Sequence, residues 1–230
     1  MSTAAPTRGI QASWTEYIGL VMGALAGAGV AVLLALRFVH AQSMSDSAAT
    51  LLWYGVRGAG VAAYLVLWLT TAAGLCLARR VSLPGLPTGA LFFLHQLGDL
   101  ALSLGVLHAL LLLGDRFAGF TPATLVVPFQ ATYRPLWTGL GILALYLAAM
   151  VQWSIRLRPH IGYRVWRGIH YVSYAVFALA LLHGLESGSD SFLSPMRAMY
   201  LLTGASVAAL TVWRSGGGGQ QLAASQIGRS

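Results

Sequence analysis

The chain has 230 residues, of which 57% are hydrophobic and only 9% are charged, against about 25% charged residues in an ordinary soluble domain. Its formal net charge is +8 and its mean hydropathy is +0.71. A soluble fold of this length could not cover so much apolar surface. The composition therefore excludes a soluble enzyme, a disordered chain and a nucleic-acid-binding module, and it predicts an integral membrane protein.

The basic residues are distributed like the loop charges of a membrane protein. All 14 are Arg, and they stand singly or in short groups between long apolar runs. This pattern orients membrane spans and differs from the continuous basic face that binds nucleic acid, so we expect no nucleic-acid partner. The single cysteine, Cys76, excludes an internal disulfide and a Cys-based zinc or iron–sulfur site.

Six apolar segments of about 20 residues follow one another, each close to the length that crosses about 30 Å of hydrocarbon. The spans are predicted at Tyr17–Val39, Trp53–Ala78, Thr88–Leu113, Leu136–Ile155, Val165–Leu185 and Met196–Trp213. These runs lack the alternation of a lipid-facing barrel, so they predict helices. The predicted fold class is all-α, an integral membrane six-helix bundle over residues 17–213. A polar segment precedes it at 1–16, and a flexible glycine-rich tail follows at 214–230.

The arginines also predict the orientation of the spans. With alternating crossings, one side of the membrane carries nine arginines and the other five, and four of the six acidic residues fall on the Arg-poor side. Positive loops stay inside, so we expect a multi-pass protein of the cell membrane with both termini in the cytoplasm. The third and fifth spans then run in the same direction.

Four histidines lie within these two parallel spans, namely His95 and His108 in the third and His170 and His183 in the fifth. Intramembrane imidazoles are costly and usually functional. Each pair is separated by 13 residues, or about 19.5 Å along a helix. His95 is thus expected to face His170 near the cytoplasmic leaflet, and His108 to face His183 near the outer leaflet.

Two facing imidazoles at one level provide the two axial ligands of a six-coordinate haem iron. The alternative is that these are core histidines bonded to neighbouring polar groups. Thirteen residues also fall about 140° short of four full turns, so spacing alone does not place both ligands of a span on one face.

The sequence around these histidines resembles the ferric reductase-like transmembrane domain family, which includes ferric reductases, NADPH oxidases and the haem membrane subunit of bacterial methionine-sulfoxide reductase systems. The resemblance covers about Leu91 to Arg214. It rests on the fifth span, Trp166 to Tyr174 followed by Leu182-His183-Gly184, on the approach Tyr133 to Trp137 with Leu140-Gly141, and on His95 to Gly98 with His108.

The resemblance implies b-type haem, with two haems expected, held between the third and fifth spans by His95, His108, His170 and His183 as iron ligands. It makes Arg134 and Arg167 the first choices for binding haem propionates. Ferric reductases and NADPH oxidases continue into FAD and nicotinamide domains, whereas this chain has no G-x-G-x-x-G fingerprint. It therefore resembles the membrane-only bacterial members, which use separate electron donors and acceptors.

The expected function is transmembrane electron transfer through two b haems, from a cytoplasmic or membrane donor to an acceptor at the outer face. The chain would then be the membrane electron-transfer subunit of an oxidoreductase. One alternative is a quinol-oxidising haem subunit of a periplasmic reductase. The other is a non-redox membrane scaffold or small transporter with structural histidines.

Three further residues of the third span have two interpretations each. Asp99 either orients His95 or relays protons, or it is neutral and bonded to backbone inside the bundle. Gly98 and Gly105 either leave room for a flat porphyrin or serve as helix-packing contacts.

Overall fold

The computed structural model describes residues 46–78, 90–115, 119–188 and 191–227. All regular secondary structure in these ranges is helical, with no strand. Six α-helices are assigned there, and a 3₁₀ turn at Leu112–Gly114 extends the second. They are α1 (Asp46–Ala78), α2 (Ala90–Leu111), α3 (Pro122–Val126), α4 (Pro135–Tyr171), α5 (Ser173–Ser187) and α6 (Ser194–Ile227).

Three helical segments of the described chain are long and apolar enough to cross a bilayer, at Ala49–Ala78, Leu94–Gly114 and Pro135–Ser187. They contain the second predicted span, residues 94–113 of the third, and the fourth and fifth. Residues 88 and 89 of the third predicted span lie outside the described residues. The first predicted span, 17–39, and the polar segment 1–16 lie outside the described residues. The sixth predicted span lies within α6, which continues as a helix through the glycine run to Ile227.

Exposed apolar side chains agree with a lipid environment. Large apolar residues are exposed along every long helix, for example Leu69, Leu107, Trp153, Leu182 and Leu202. Water disfavours contiguous apolar surface of this kind, whereas hydrocarbon covers it at no cost. The chain is therefore a helical membrane protein.

A single residue divides the fourth predicted span from the fifth. Gly162 has φ 78° and ψ 163° inside the long helix α4, a backbone region that only glycine occupies without strain. Pro159, three residues earlier, also lacks the N–H that would continue the helix ladder. The chain turns back at this point, because Trp137 near the start of α4 contacts His183 near the end of α5.

The contacts between helices establish their relative directions. Helix α2 is antiparallel to α4, because the carbonyl of His95 contacts Gln152 while Gly105 contacts Leu145. The part of α4 before Gly162 is in turn antiparallel to α5, through the contact between Trp137 and His183. Helices α2 and α5 are therefore parallel, as the count of crossings predicts.

Helices α1, α5 and α6 share an aromatic core. Tyr64 stacks on Phe177 with ring centroids 5.9 Å apart and meets Tyr200 edge-on at 4.8 Å. Its hydroxyl is hydrogen-bonded to the Thr203 hydroxyl at 2.6 Å. One α-turn along, the Trp68 indole donates to the Ser206 hydroxyl at 2.8 Å. These bonds satisfy polar groups that apolar surroundings would otherwise penalise, and they fix α1 against α6.

Candidate functional site

His108, on α2, is held by the neighbouring helix α1. Its ring Nδ1 lies 2.8 Å from the backbone carbonyl oxygen of Val56. The ring also lies over Gly60, where an added Cβ would come within 2.9 Å of Nδ1 and 3.0 Å of Cε1. The imidazole therefore fills the space that a side chain at residue 60 would need.

His183, on α5, is held by α4 in the same way. Its Nδ1 lies 2.9 Å from the carbonyl oxygen of Trp137. A Cβ at Gly141 would come within 2.5 Å of that nitrogen and 2.7 Å of Cε1. In both cases the glycine follows the carbonyl residue by four positions.

These hydrogen bonds determine which nitrogen carries the proton. A carbonyl oxygen only accepts, so Nδ1 is the donor in both rings. In a neutral imidazole, Nε2 then keeps the free lone pair and is the atom available to a metal. The two rings are neighbours, with centroids 6.3 Å apart and planes inclined at 76°.

His95 and His170 have different surroundings. They lie close enough to interact electrostatically, and His170 also interacts with Arg214. The His170 ring stacks on Trp166, with centroids 5.2 Å apart and planes at 22°. The guanidinium of Arg158 lies 4.8 Å from the centroid of that indole. Aromatic and cationic side chains thus lie beside this level, while His170 itself is exposed.

A polar cluster joins α2 to α4 beside His95. The Asp99 carboxylate pairs with the Arg156 guanidinium at 3.1 Å. The buried amide of Gln152 donates to Asp99 and to the backbone carbonyl of His95, both at 3.1 Å. Asp99 thus bonds to a guanidinium and an amide from α4, an arrangement that neither sequence interpretation contains.

The two glycines of the third span are packing contacts. A Cβ at Gly98 would lie 2.7 Å from the Gln152 side-chain oxygen, and one at Gly105 would lie 3.2 Å from Leu145. Both glycines thus admit a side chain of α4 against α2. The packing interpretation therefore describes the contacts of Gly98 and Gly105.

Arg134 and Arg167 lie near opposite histidine pairs. Arg134 caps α4 in a left-handed conformation with φ 42°, and it donates a hydrogen bond to the carbonyl of Glu186. It lines an open cavity of about 310 Å³ together with Trp137, Glu186 and Phe192. Arg167 is exposed, and its guanidinium donates to the Tyr171 hydroxyl at 3.1 and 3.2 Å. Arg134 is thus close to His183, and Arg167 one turn before His170.

Sequence reasoning missed the contributions of α1 and α4 to the histidine site. Val56 and Trp137 act through backbone carbonyls, which carry no side-chain signal. Gly60 and Gly141 are two of 27 glycines in a protein class where glycine is common at helix contacts. Among the described residues, no group of three or more His, Cys, Asp and Glu side chains is arranged to hold a metal ion.

Comparison with family models, with curated proteins and with solved structures finds no match to the chain.

Proposed function

We propose that the chain is a membrane cytochrome b that carries electrons across the bilayer through two b haems. The observation that carries the proposal is the pair His108 and His183. They lie on parallel helices, the Nδ1–H of each ring donates a hydrogen bond to a backbone carbonyl oxygen, and their ring centroids are 6.3 Å apart.

The separation of the rings fits two imidazoles on one metal ion. A metal–nitrogen bond is about 2 Å, and an imidazole ring nitrogen lies about 1.1 Å from its centroid by ordinary bond lengths. Two such ligands on opposite sides of an ion place their centroids about 6 Å apart. Haem needs only these two protein ligands, since the porphyrin supplies the other four nitrogens.

The Nδ1 bonds provide what a ligating histidine usually requires. Metal-bound histidines donate their second ring N–H to a carbonyl, carboxylate or water, which fixes the tautomer and the ring orientation. A core histidine would show such a bond too, so the bond alone suits both interpretations. Two bonded rings at ligand separation favour the haem site, because one structural histidine does not require a second one beside it.

Each residue of the site then has a separate role. A b haem held there supplies a one-electron carrier. His108 and His183 provide Nε2 lone pairs, and the apolar helices around them exclude water. His95 and His170 form the second level, about 19.5 Å away along the helices. Arg134 and Arg167 are placed to bind propionates, for which the guanidinium fork is suited.

The proposal includes the setting of the protein. It is a six-span protein of the cell membrane with cytoplasmic termini, and it works with separate electron donors and acceptors or with quinone. The family resemblance around His95, His108, His170 and His183 supports this setting, as does the uneven distribution of arginines.

The test is the pigment of the purified protein. The full chain, expressed with added haem precursor and purified in detergent, should show a reduced-minus-oxidised α-band and about two haems per chain. His108→Ala and His183→Ala should each lower this ratio to about one, since either change removes an axial ligand from the same level.

His160→Ala is the matched control, because this exposed histidine lies beside the turn at Gly162. It should keep both haems. A colourless wild-type protein would overturn the proposal and favour the scaffold or transporter alternative. Full haem content in both ligand variants would overturn the assignment of His108 and His183.

A further inference from the structure

We infer that α1 and the part of α4 before Gly162, neither of which carries a haem ligand, orient the haem ligands His108 and His183 through two matched glycine–carbonyl cradles. We define the cradles as Val56 with Gly60 and Trp137 with Gly141. The inference rests on the proposed function and makes Gly60 and Gly141 positioning residues, since they act only through the imidazoles that they support.

The spacing of four residues has a physical reason. In an α-helix the carbonyl of residue i accepts the N–H of residue i+4, so the oxygen points toward that residue. It keeps a second lone pair, but a side chain at i+4 crowds the approach to it. Glycine at i+4 lacks Cβ and opens the carbonyl to an outside donor. Gly60 and Gly141 stand at that position relative to Val56 and Trp137.

The observed contacts agree with this account at both sites. The Nδ1–oxygen distances are 2.8 and 2.9 Å. A Cβ built on Gly60 would lie 2.9 Å from Nδ1 of His108, and one built on Gly141 would lie 2.5, 2.7 and 2.9 Å from three ring atoms of His183. Both approaches are closer than real Cβ contacts. The ring is the movable partner, so an alanine at either position should push the imidazole off its carbonyl.

The cradles also set the angle between the two rings. Each ring lies against a different helix, and the planes are inclined at 76°. Axial-ligand geometry and hydrogen bonding to the ligands tune a haem. A low-spin ferric haem with near-perpendicular imidazoles gives a single, highly anisotropic low-field electron paramagnetic resonance signal, whereas parallel imidazoles give a three-line rhombic spectrum.

The His95–His170 pair provides an internal reference. His170 stacks on Trp166, and the backbone carbonyl of His95 is bonded to Gln152. The atoms nearest to a Cβ at Gly60 belong to His108, and those nearest to a Cβ at Gly141 belong to His183, so neither His95 nor His170 is among them. Changes in the cradles should therefore alter the haem held by His108 and His183 and leave the haem at the His95–His170 pair unchanged.

The experiment compares alanine variants of the full chain purified in detergent. Gly60→Ala and Gly141→Ala are the test variants. Gly58→Ala and Gly74→Ala, on the same helix as Gly60, are the controls, because a Cβ at either would meet nothing within 4 Å. Low-temperature electron paramagnetic resonance, haem content and a potentiometric titration are recorded for each.

We expect the wild type to show the anisotropic low-field signal. In both test variants this signal should shift or disappear, and the midpoint potential of one haem should move or the haem content should fall from two to about one. The controls should match the wild type. Retention of the second haem in the test variants shows that the bundle is folded.

Three results would overturn the inference. They are test variants with wild-type spectra and potentials, equal effects in test and control variants, and a wild-type spectrum with rhombic signals only. The last result needs no variant, so it decides the matter even where an alanine variant fails to fold. Absence of haem from the wild type would instead overturn the proposed function, so the two failures are distinguishable.

Discussion

Asp99 is a carboxylate within an apolar span, and its partners explain how the bundle tolerates it. Charged groups at membrane depth are paired or face a polar interior. Asp99 has a guanidinium and an amide from the facing helix, and the amide also binds the His95 carbonyl. One cluster therefore neutralises the charge, joins α2 to α4 and holds the backbone of a candidate ligand.

This pairing can be measured with a double-mutant cycle on Asp99→Asn and Arg156→Gln. The side chains are 40% and 39% exposed, so we expect a coupling free energy of about 1 kcal/mol, the upper end for an exposed pair. The double variant should lose less stability than the sum of the two single losses, because each single variant leaves one charge unpaired. Stability is read from thermal unfolding in detergent.

Arg158→Gln is the control for that cycle. Arg158 lies on the same helix and contacts the Trp166 ring. Combined with Asp99→Asn, it should give additive effects, as separated sites do. Strict additivity of the Asp99 and Arg156 variants would show that the ion pair contributes nothing to stability.

At the scale of elements, the sequence predicts helices well and their junctions poorly. The second, fourth and fifth predicted spans and the described part of the third lie in helical segments, because uninterrupted apolar runs of about 20 residues have no other stable form in a membrane. The fourth predicted span ends at Ile155 and the fifth begins at Val165, which leaves residues 156–164 as a connecting loop. The junction is instead a break at one residue, Gly162, since Pro159 and the glycine conformation achieve the turn within a helical segment.

The loop after α2 shows a similar limit. Pro122 reads as a turn signal in the sequence, yet it begins the short helix α3. Thr121 caps this helix, and its hydroxyl accepts from the Thr124 backbone N–H at 3.3 Å while Thr124 bonds back to the Thr121 N–H at 2.9 Å. Proline suits the first helical position because its missing N–H would have no partner there.

Replacement of Gly162 tests the break directly. An L-residue at φ 78° and ψ 163° is strained by about 1–3 kcal/mol, so Gly162→Ala should lower the free energy of unfolding by that amount. A lowered midpoint of thermal or detergent-induced unfolding would show it. The space around a Cβ there is open, so the effect would come from the backbone alone.

Gly168→Ala is the matched control for the break. Its Cβ would also meet nothing within 4 Å, and its φ does not lie in the left-handed range. Removing a helix-interior glycine should stabilise the chain by about 0.5–1 kcal/mol. Equal behaviour of the two variants would show that the conformation of Gly162 is not required for the turn.

At the scale of the whole molecule, the arrangement of the site is partly predictable. Counting crossings makes α2 and α5 parallel and pairs His108 with His183, and the structure brings these two rings together. The cradles of Val56 and Trp137 are not predictable in this way. They join residues 52 and 46 positions apart, and which faces of two apolar helices meet depends on packing that hydropathy does not encode.

The same limit applies to the aromatic core. Tyr64 and Thr203 are 139 residues apart, and each reads in the sequence as an ordinary polar residue of a membrane helix. Their hydrogen bond requires α1 and α6 to be neighbours, which the order of spans does not dictate. The sequence thus determines which segments cross the membrane, and packing determines their neighbours.

The distribution of charge predicts which end of the bundle faces the cytoplasm. The turn at Gly162 is flanked by four arginines, at 156, 158, 164 and 167, whereas the end near His183 carries Glu186. Positive segments are retained inside, so the Gly162 turn and the His95–His170 pair should be cytoplasmic.

Single cysteines His160→Cys and Phe192→Cys, made in a Cys76→Ser background, probe the two ends, because both residues are exposed. In intact cells a membrane-impermeant maleimide should label residue 192 and not residue 160, and permeabilised cells should label both. Labelling of residue 160 alone in intact cells would show that the bundle has the opposite orientation. Under the proposed function, electrons from a cytoplasmic donor would then enter at the His108–His183 pair.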